Sequence, residues 1–196
     1  MRHFLLTAAL AAFLLTTAAN LSEALAESSK RVLLIDGDLR KPDAHRYFTL
    51  PNNSGLSSTF LADLESITGF IKKVTDQLFV LTSGPVPPNP SELLSSKKMA
   101  DIIEALRERF DLIVIDSPPL IGLADASLWA ALSDGIVLVA RQGRTRRAAF
   151  NEAVAVARAT HKPIIGTVIN GIGRKEMGSA YYKYGYDYKR QGKARG

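Results

Sequence analysis

A chain of 196 residues, 46% apolar and 22% charged, has enough material for one α/β domain with a real core and is not composed like a disordered protein. It contains no cysteine, which excludes disulfides and thiolate metal sites and fits a reducing compartment. The net charge of +6 is concentrated from Arg174 onward, where seven basic residues stand against two acidic ones. Such an arm suits acidic surfaces, phosphates or anionic lipid, and it says little about the folded body.

From the N-terminus, Met1 to Leu21 carries only Arg2 and His3 as charged candidates, and Phe4 to Leu15 is apolar except for Thr7. With Ala24-Leu25-Ala26 as a small-residue cleavage site, residues 1–26 have the outline of an export signal. The run is short for a membrane span, which needs about 20 apolar residues. The preferred reading is a buried helix from the start through Ser28, because Ala, Leu and Glu are good helix formers and Ser28-Ser29 would end it.

Val32-Leu33-Leu34-Ile35 then reads as a strand buried on both faces, the habit of a parallel sheet covered by helices. It runs into Asp36-Gly37-Asp38-Leu39-Arg40-Lys41-Pro42. Alternate residues of an extended chain point the same way, so Asp36 and Asp38 can converge on one cation beyond the carboxyl end of the strand. Arg40 is a bidentate anchor for phosphate or carboxylate. A short helix is expected over Asp43 to Phe48, a turn at Pro51 to Gly55, a helix over Leu56 to Leu64 and a strand at Leu78 to Leu81. Gly84 to Pro90 is too proline-rich for helix or central strand. Helices follow from Ser91 and from about Lys97 to Phe110, where Ile102, Ile103, Leu106 and Phe110 form an apolar stripe.

Leu112-Ile113-Val114-Ile115-Asp116 repeats the buried strand ending in an acid. Either acid alone reads most simply as a cap for the next turn. Two strands ending alike, one of them in Asp-x-Asp-x-Arg, point instead to a magnesium and nucleotide site. Helix over Ala124 to Ser133, strand over Gly135 to Ala140, helix over Thr145 to Thr160 and strand over Pro163 to Ile169 complete the body. The strand–helix alternation predicts an α/β fold with a mostly parallel sheet flanked by helices. Beyond it, Tyr181, Tyr182, Tyr184, Tyr186 and Tyr188 are five of the six tyrosines. They follow no period that would bury them together, and they read as exposed hydroxyls open to phosphorylation, which would reverse the sign of the arm.

Together these stretches resemble the cytoplasmic kinase domain of the bacterial tyrosine kinases (BY-kinases) of exopolysaccharide and capsule systems, P-loop ATPases related to ParA and MinD. Leu33 to Arg40 looks like their modified second Walker motif, and Leu112 to Pro119 looks like their Walker B. Gly84 to Leu94, Arg141 to Thr145 and the tyrosine-rich tail complete the likeness, which spans about Thr16 to Tyr188. The arginine and Lys-Pro after the two acids, and still more the tyrosines, favour the kinases over their ParA/MinD relatives.

The resemblance implies a three-layer αβα, P-loop NTPase-like fold using ATP and Mg2+. It implies that Asp38 and Asp116 hold magnesium through its waters. Asp36 would orient or deprotonate the attacking tyrosine, Arg40 would neutralise phosphate or fix the acids, and Asn170 would lie near adenine. Tyr181, Tyr182, Tyr184, Tyr186 and Tyr188 would be phosphorylated between neighbouring subunits. It also implies a transmembrane polysaccharide co-polymerase as activator, a place at the inner face of the cell membrane, homo-oligomers and no nucleic acid.

One element departs. The family's Gly-x-Gly-Lys-Ser/Thr loop should precede Thr16, but Ala11-Ala12-Phe13-Leu14-Leu15 stands there and the first glycine is Gly37. The expected organisation is therefore N-terminally truncated: a non-family segment over 1–15 lacking the strand before the loop, a kinase-like domain over 16–173, and the tail over 174–196. The expected function is an autophosphorylating tyrosine kinase of polysaccharide biosynthesis impaired at its ATP site. The alternatives are a non-catalytic regulatory or phospho-acceptor module and a ParA/MinD-like ATPase.

Overall fold

The computed structural model describes residues 4–9 and 14–172, with side chains described from Leu15. The run Val32-Leu33-Leu34-Ile35-Asp36 forms β2 (Val32–Asp36), and all five residues are buried. Leu112–Asp116 forms β5 and pairs with β2 in parallel. On its other side β2 pairs in parallel with β4 (Leu78–Leu81), which carries the short antiparallel edge strand β3 (Lys72–Lys73). Gly135–Arg141 and Ile164–Asn170 form β6 and β7, again parallel. The sheet has seven strands in the order β3-β4-β2-β5-β1-β6-β7.

The strand in the middle is the correction. β1 is Phe4–Ala9, paired in parallel with β5 on one side and β6 on the other. The expected continuous helix from the first residue is therefore a strand followed by helix α1 (Leu14–Glu27), and the strand read as missing is supplied by this segment. An apolar run of this kind satisfies either state, and pairing with two waiting strands outweighs the helix preference of its Ala and Leu. No helix of the described residues is long and apolar enough to cross a membrane.

α1 lies on one face of the sheet. Ala18, Ala19 and Ala26 are buried against Val32, Leu34, Val80 and Val114, small side chains that let the helix approach closely. Ser22 hides its hydroxyl by donating to the Ala18 carbonyl at 2.8 Å. The helix stops where Ser29 turns to a positive φ of 62°.

The other face carries α4 (Lys97–Arg107), α5 (Asp125–Leu132) and α6 (Arg147–Ala159). The expected stripe of α4 is buried as read: Ile102, Ile103, Leu106 and Phe110 pack with Leu33, Ile35, Ile113 and Ile115. A second cluster sets Ala126 and Ala130 of α5 and Ala153 and Ala157 of α6 against Ile136 and Leu138. Residues expected as a helix over Leu56 to Leu64 form instead two 3-10 segments, Leu56–Leu61 and Leu64–Phe70, anchored by buried Leu56 and Ile67. Two short helices, α2 (Ala44–Tyr47) and α3 (Pro90–Leu94), border the carboxyl ends of the strands.

Candidate active site

The two acid-tipped strands end side by side, with Asp36 in register with Asp116. Gly37 continues the contact by donating its amide to the Asp116 carbonyl at 2.7 Å. Only glycine fits there, since a Cβ would lie 2.7 Å from that carbonyl oxygen and 2.7 Å from Trp129 Nε1. Trp129, fully buried on α5, donates its indole N–H to the Gly37 carbonyl at 2.9 Å and so locks the chain between the two acids.

Asp36 is inaccessible to solvent. Its Oδ2 accepts the amides of Ala44 at 3.0 Å and Asp43 at 3.2 Å, which fasten the start of α2 to the sheet. Its Oδ1 is buried and has no hydrogen-bond partner, and the same is true of Asp116 Oδ1. Burial, with the charge of Asp38 as a smaller contribution, pushes the Asp36 carboxyl from 3.8 to about 7 against the pull of the backbone amides. Burial first, then the charges of Asp36, Asp38 and Asp43, raises Asp116 well above its ordinary value. Two adjacent carboxylates with orphaned oxygens suit a hard divalent cation, which takes carboxylate and water oxygens. On that observation the site fits magnesium.

Asp38 Oδ1 accepts the amides of Arg40 at 3.0 Å and Lys41 at 2.9 Å, which fixes the turn after β2. Arg40 points along the opening. Its Nε and Nη2 grip both oxygens of Asp125 at 2.7 and 3.2 Å, and Nη2 also donates to Ser91 Oγ at 3.0 Å. Ser91 in turn donates to Asp125 at 2.6 Å. Burial alone would raise the Asp125 carboxyl, but the bonds from Arg40 and Ser91 outweigh it and hold it below its ordinary value. Arg40 thus ties the β2 turn to α3 and α5, acting on a carboxylate rather than on Asp36 or Asp116.

Above the acids lies a cleft of about 830 Å³ lined by Asp38, Arg40, Lys41, His45, Arg46 and Asp116, among others. The structure therefore brings together Asp36, Asp38, Arg40 and Asp116. Asn170, at the end of β7, is not among the described residues lining that cleft. It reaches α1 through an Nδ2 bond to Thr17 Oγ1 at 3.3 Å and accepts the Gly171 amide at 2.7 Å. The five tail tyrosines lie outside the described residues.

Sequence reasoning missed Asp125, Ser91 and Trp129. An acid opening a helix reads as ordinary charge–dipole preference, and a lone tryptophan reads as core. Only the tertiary pairing gives them their parts.

A family profile described as an AAA domain matches residues 15–147. Tyrosine-protein kinase YwqD of Bacillus subtilis is 39% identical over 171 residues, covering 87% of this chain and 70% of that protein. The chain belongs to the bacterial tyrosine-kinase family. Among solved structures of this family, the crystal structure of the chimerical protein CapA2B2 superposes with a TM-score of 0.81 at 33% identity, over 89% of this chain and 78% of that one. The septum site-determining protein MinD of Pyrococcus horikoshii, solved with Mg-ADP, gives a TM-score of 0.71 at 20% identity over 93% of this chain and 76% of its own. MinD shares the fold, so the BY-kinase domain sits on a P-loop NTPase scaffold, as the resemblance implied. The family profile begins at residue 15, after β1.

Proposed function

We propose that this chain is a protein-tyrosine kinase domain of a capsule or exopolysaccharide system that retains the cation and proton-acceptor half of its site and turns ATP over slowly. The observation that carries the reading is the pair of neighbouring buried carboxylates, Asp36 and Asp116, each with an oxygen left without a partner. Asp116 and Asp38 hold magnesium. When bound, the ion neutralises phosphate charge and lowers the cost of moving a phosphoryl group. Asp36 accepts the proton of the attacking tyrosine hydroxyl, and a carboxyl raised to about 7 is matched to that task near neutral pH. Arg40, held by Asp125 and Ser91, keeps the turn carrying Asp38 in place, with Lys41 and Arg46 adding positive charge along the cleft. Asn170 is assigned to the adenine end, and Tyr181, Tyr182, Tyr184, Tyr186 and Tyr188 to the phosphate acceptors. A transmembrane polysaccharide co-polymerase at the inner face of the membrane is the activator, and the tails of neighbouring subunits are the substrates.

The weakness is at the phosphates. Leu10-Ala11-Ala12-Phe13-Leu14-Leu15 offers no glycine, lysine, serine or threonine, so the charge-assisted contacts of a P-loop are lost together. Calorimetry of magnesium-dependent ATP and ADP binding tests the reading. Weak binding that disappears in Asp116→Ala, with tail phosphorylation that disappears in Asp36→Ala, supports it. No binding to the folded wild type sinks it. That same sequence, beside five clustered tyrosines, favours a second reading as a phospho-acceptor module served by an intact kinase. Mixing the two proteins with ATP and finding no phosphate on Tyr181 to Tyr188 would count against it.

A further inference from the structure

The loop joining β6 to α6 reads Arg141-Gln142-Gly143-Arg144-Thr145-Arg146-Arg147, four arginines with no acid before Glu152. It is folded tightly. The Arg141 carbonyl accepts the amides of Arg144 at 3.2 Å and Thr145 at 2.9 Å, and the Thr145 hydroxyl accepts the Arg141 amide at 2.9 Å. Gln142 donates its amide to the Asn170 carbonyl at 2.9 Å, which ties the loop to the end of β7. Beside the loop, between α6 and β7, lies a groove of about 360 Å³ lined by Arg141, Thr145, Arg147, Phe150, Thr167 and Ile169, among others. That volume falls within the usual span of small-ligand sites, about 300–1,000 Å³. The groove shares no lining residue with the nucleotide cleft. Asn170 reaches Thr17 of α1, on the opposite face of the sheet from α6, so the adenine end assigned to it is elsewhere.

The lining combines two chemistries. Phe150 and Ile169 are apolar; Phe150 is half-buried against the cluster of Ile136 and Leu138, while Ile169 is 56% exposed. Arg147 stands three residues before Phe150 on α6 and so shares its side of the helix. It is exposed and in no ion pair among the described residues. Arg141 supplies a second guanidinium, and none of the lining residues is acidic. Guanidinium forks suit phosphate oxygens, and an apolar wall beside them suits a ring. The chain itself carries that combination close by. β7 ends one residue past Ile169, and the Arg141 side chain lies against Gly171, where the tail begins. Nine residues separate Ile172 from Tyr181. They span up to about 30 Å when extended, which lets the tyrosines return to the groove. Without phosphate the tail, seven basic residues against two acidic ones, is repelled by these arginines. Phosphates of up to about two negative charges each reverse that sign.

We propose that this groove is a phosphotyrosine-binding site whose ligand is the chain's own phosphorylated tail. Arg141 and Arg147 take the phosphate oxygens, and Phe150 and Ile169 take the ring. Phosphorylation then converts the tail from a segment the groove repels into one it holds, and a held tyrosine is withdrawn from the cleft. The proposal rests on the reading of Tyr181, Tyr182, Tyr184, Tyr186 and Tyr188 as phosphate acceptors. It does not require that this chain transfer the phosphate itself.

Calorimetry of the full, unphosphorylated chain without nucleotide tests it, with a synthetic peptide of residues 179–190 phosphorylated on its five tyrosines as the probe. The peptide should bind saturably and more weakly as salt screens the charges. The unphosphorylated peptide, and one carrying phosphoserine at the same positions, should each bind at least tenfold more weakly, the first for want of charge and the second for want of a ring. Arg147→Glu should cost at least tenfold with unchanged circular dichroism, since this side chain is exposed. Arg158→Glu, the same charge change at the far end of α6, should leave binding intact. A chain whose tail has been phosphorylated by an intact tyrosine kinase should take up the peptide at least tenfold more weakly, its groove being filled. No binding overturns the proposal, as does equal binding of either control peptide, indifference to Arg147→Glu, an equal loss in Arg158→Glu, or undiminished uptake by the phosphorylated chain. The kinase reading fails separately, by absence of ATP binding.

Discussion

Asp36 gives the fold a stability that depends on pH in an unusual direction. In the unfolded chain its carboxyl loses its proton near 3.8, and in the folded chain it does so only at about 7. Between those values the folded state holds more protons than the unfolded state, so stability falls as pH rises and levels off above the folded value. The whole gap corresponds to about 4 kcal/mol, of which about 2–3 kcal/mol falls between roughly pH 5 and pH 8. Asp36→Asn removes this titration. The asparagine carbonyl can still accept the Ala44 and Asp43 amides, and its amide group takes the place of the orphaned Oδ1. Loss of the Asp36 charge also eases Asp116, whose carboxyl it helps to raise. Urea unfolding followed by the fluorescence of Trp129, the only tryptophan, reads the effect directly. Relative to wild type, the variant should gain about 2–3 kcal/mol on moving from pH 5 to pH 8. Parallel pH profiles for the two proteins would refute the account of Asp36 as a buried carboxylate ionised at a cost. Magnesium should stabilise the wild type more at the higher pH, where the acids are charged, and Asp36→Asn should blunt that response.

Trp129→Phe leaves the buried Gly37 carbonyl without its indole donor and opens a small void, and should cost about 2–3 kcal/mol in urea unfolding monitored by circular dichroism. Gly37→Ala forces a methyl group against the Asp116 carbonyl and Ile115, so it should destabilise by about 2–3 kcal/mol and weaken magnesium-nucleotide binding in calorimetry. Asp125→Ala takes away the acceptor of three hydrogen bonds from Arg40 and Ser91, and a loss of about 2 kcal/mol is expected in the same unfolding assay.

What could be read in advance follows a physical division. β2 and β5 were legible because a strand buried on both faces must be continuously apolar, and their terminal acids were legible because a carboxylate closing such a run breaks the pattern. The spacing of Asp36 and Asp38 pointed to two carboxylates converging on one cation beyond the end of β2. It did not foretell that Asp38 would spend Oδ1 on the amides of Arg40 and Lys41 while Asp36 stayed dry. Arg40 was legible as a bidentate anchor, but its partner Asp125 lies 85 residues away and its role depends on how α5 docks. Trp129 is the same case, since its indole matters only through a carbonyl on another element.

β1 shows why a pattern can specify a scaffold without specifying its chemistry. Phe4-Leu5-Leu6-Thr7-Ala8-Ala9 was read as helix from propensity, yet β5 and β6 present two parallel ladders with a gap between them, and the run fills it in register from Phe4 opposite Leu112 to Ala9 opposite Leu138. A central strand asks only for apolar residues that tolerate extension and for backbone groups to pair, so many sequences serve. A phosphate cradle asks for particular residues: glycines that let amides approach, and a lysine at its end. Residues 4–9 meet the first requirement and residues 10–15 do not meet the second, although they adjoin in the chain. A BY-kinase scaffold can therefore form around this β1, with the acid-tipped ends of β2 and β5 assembled side by side.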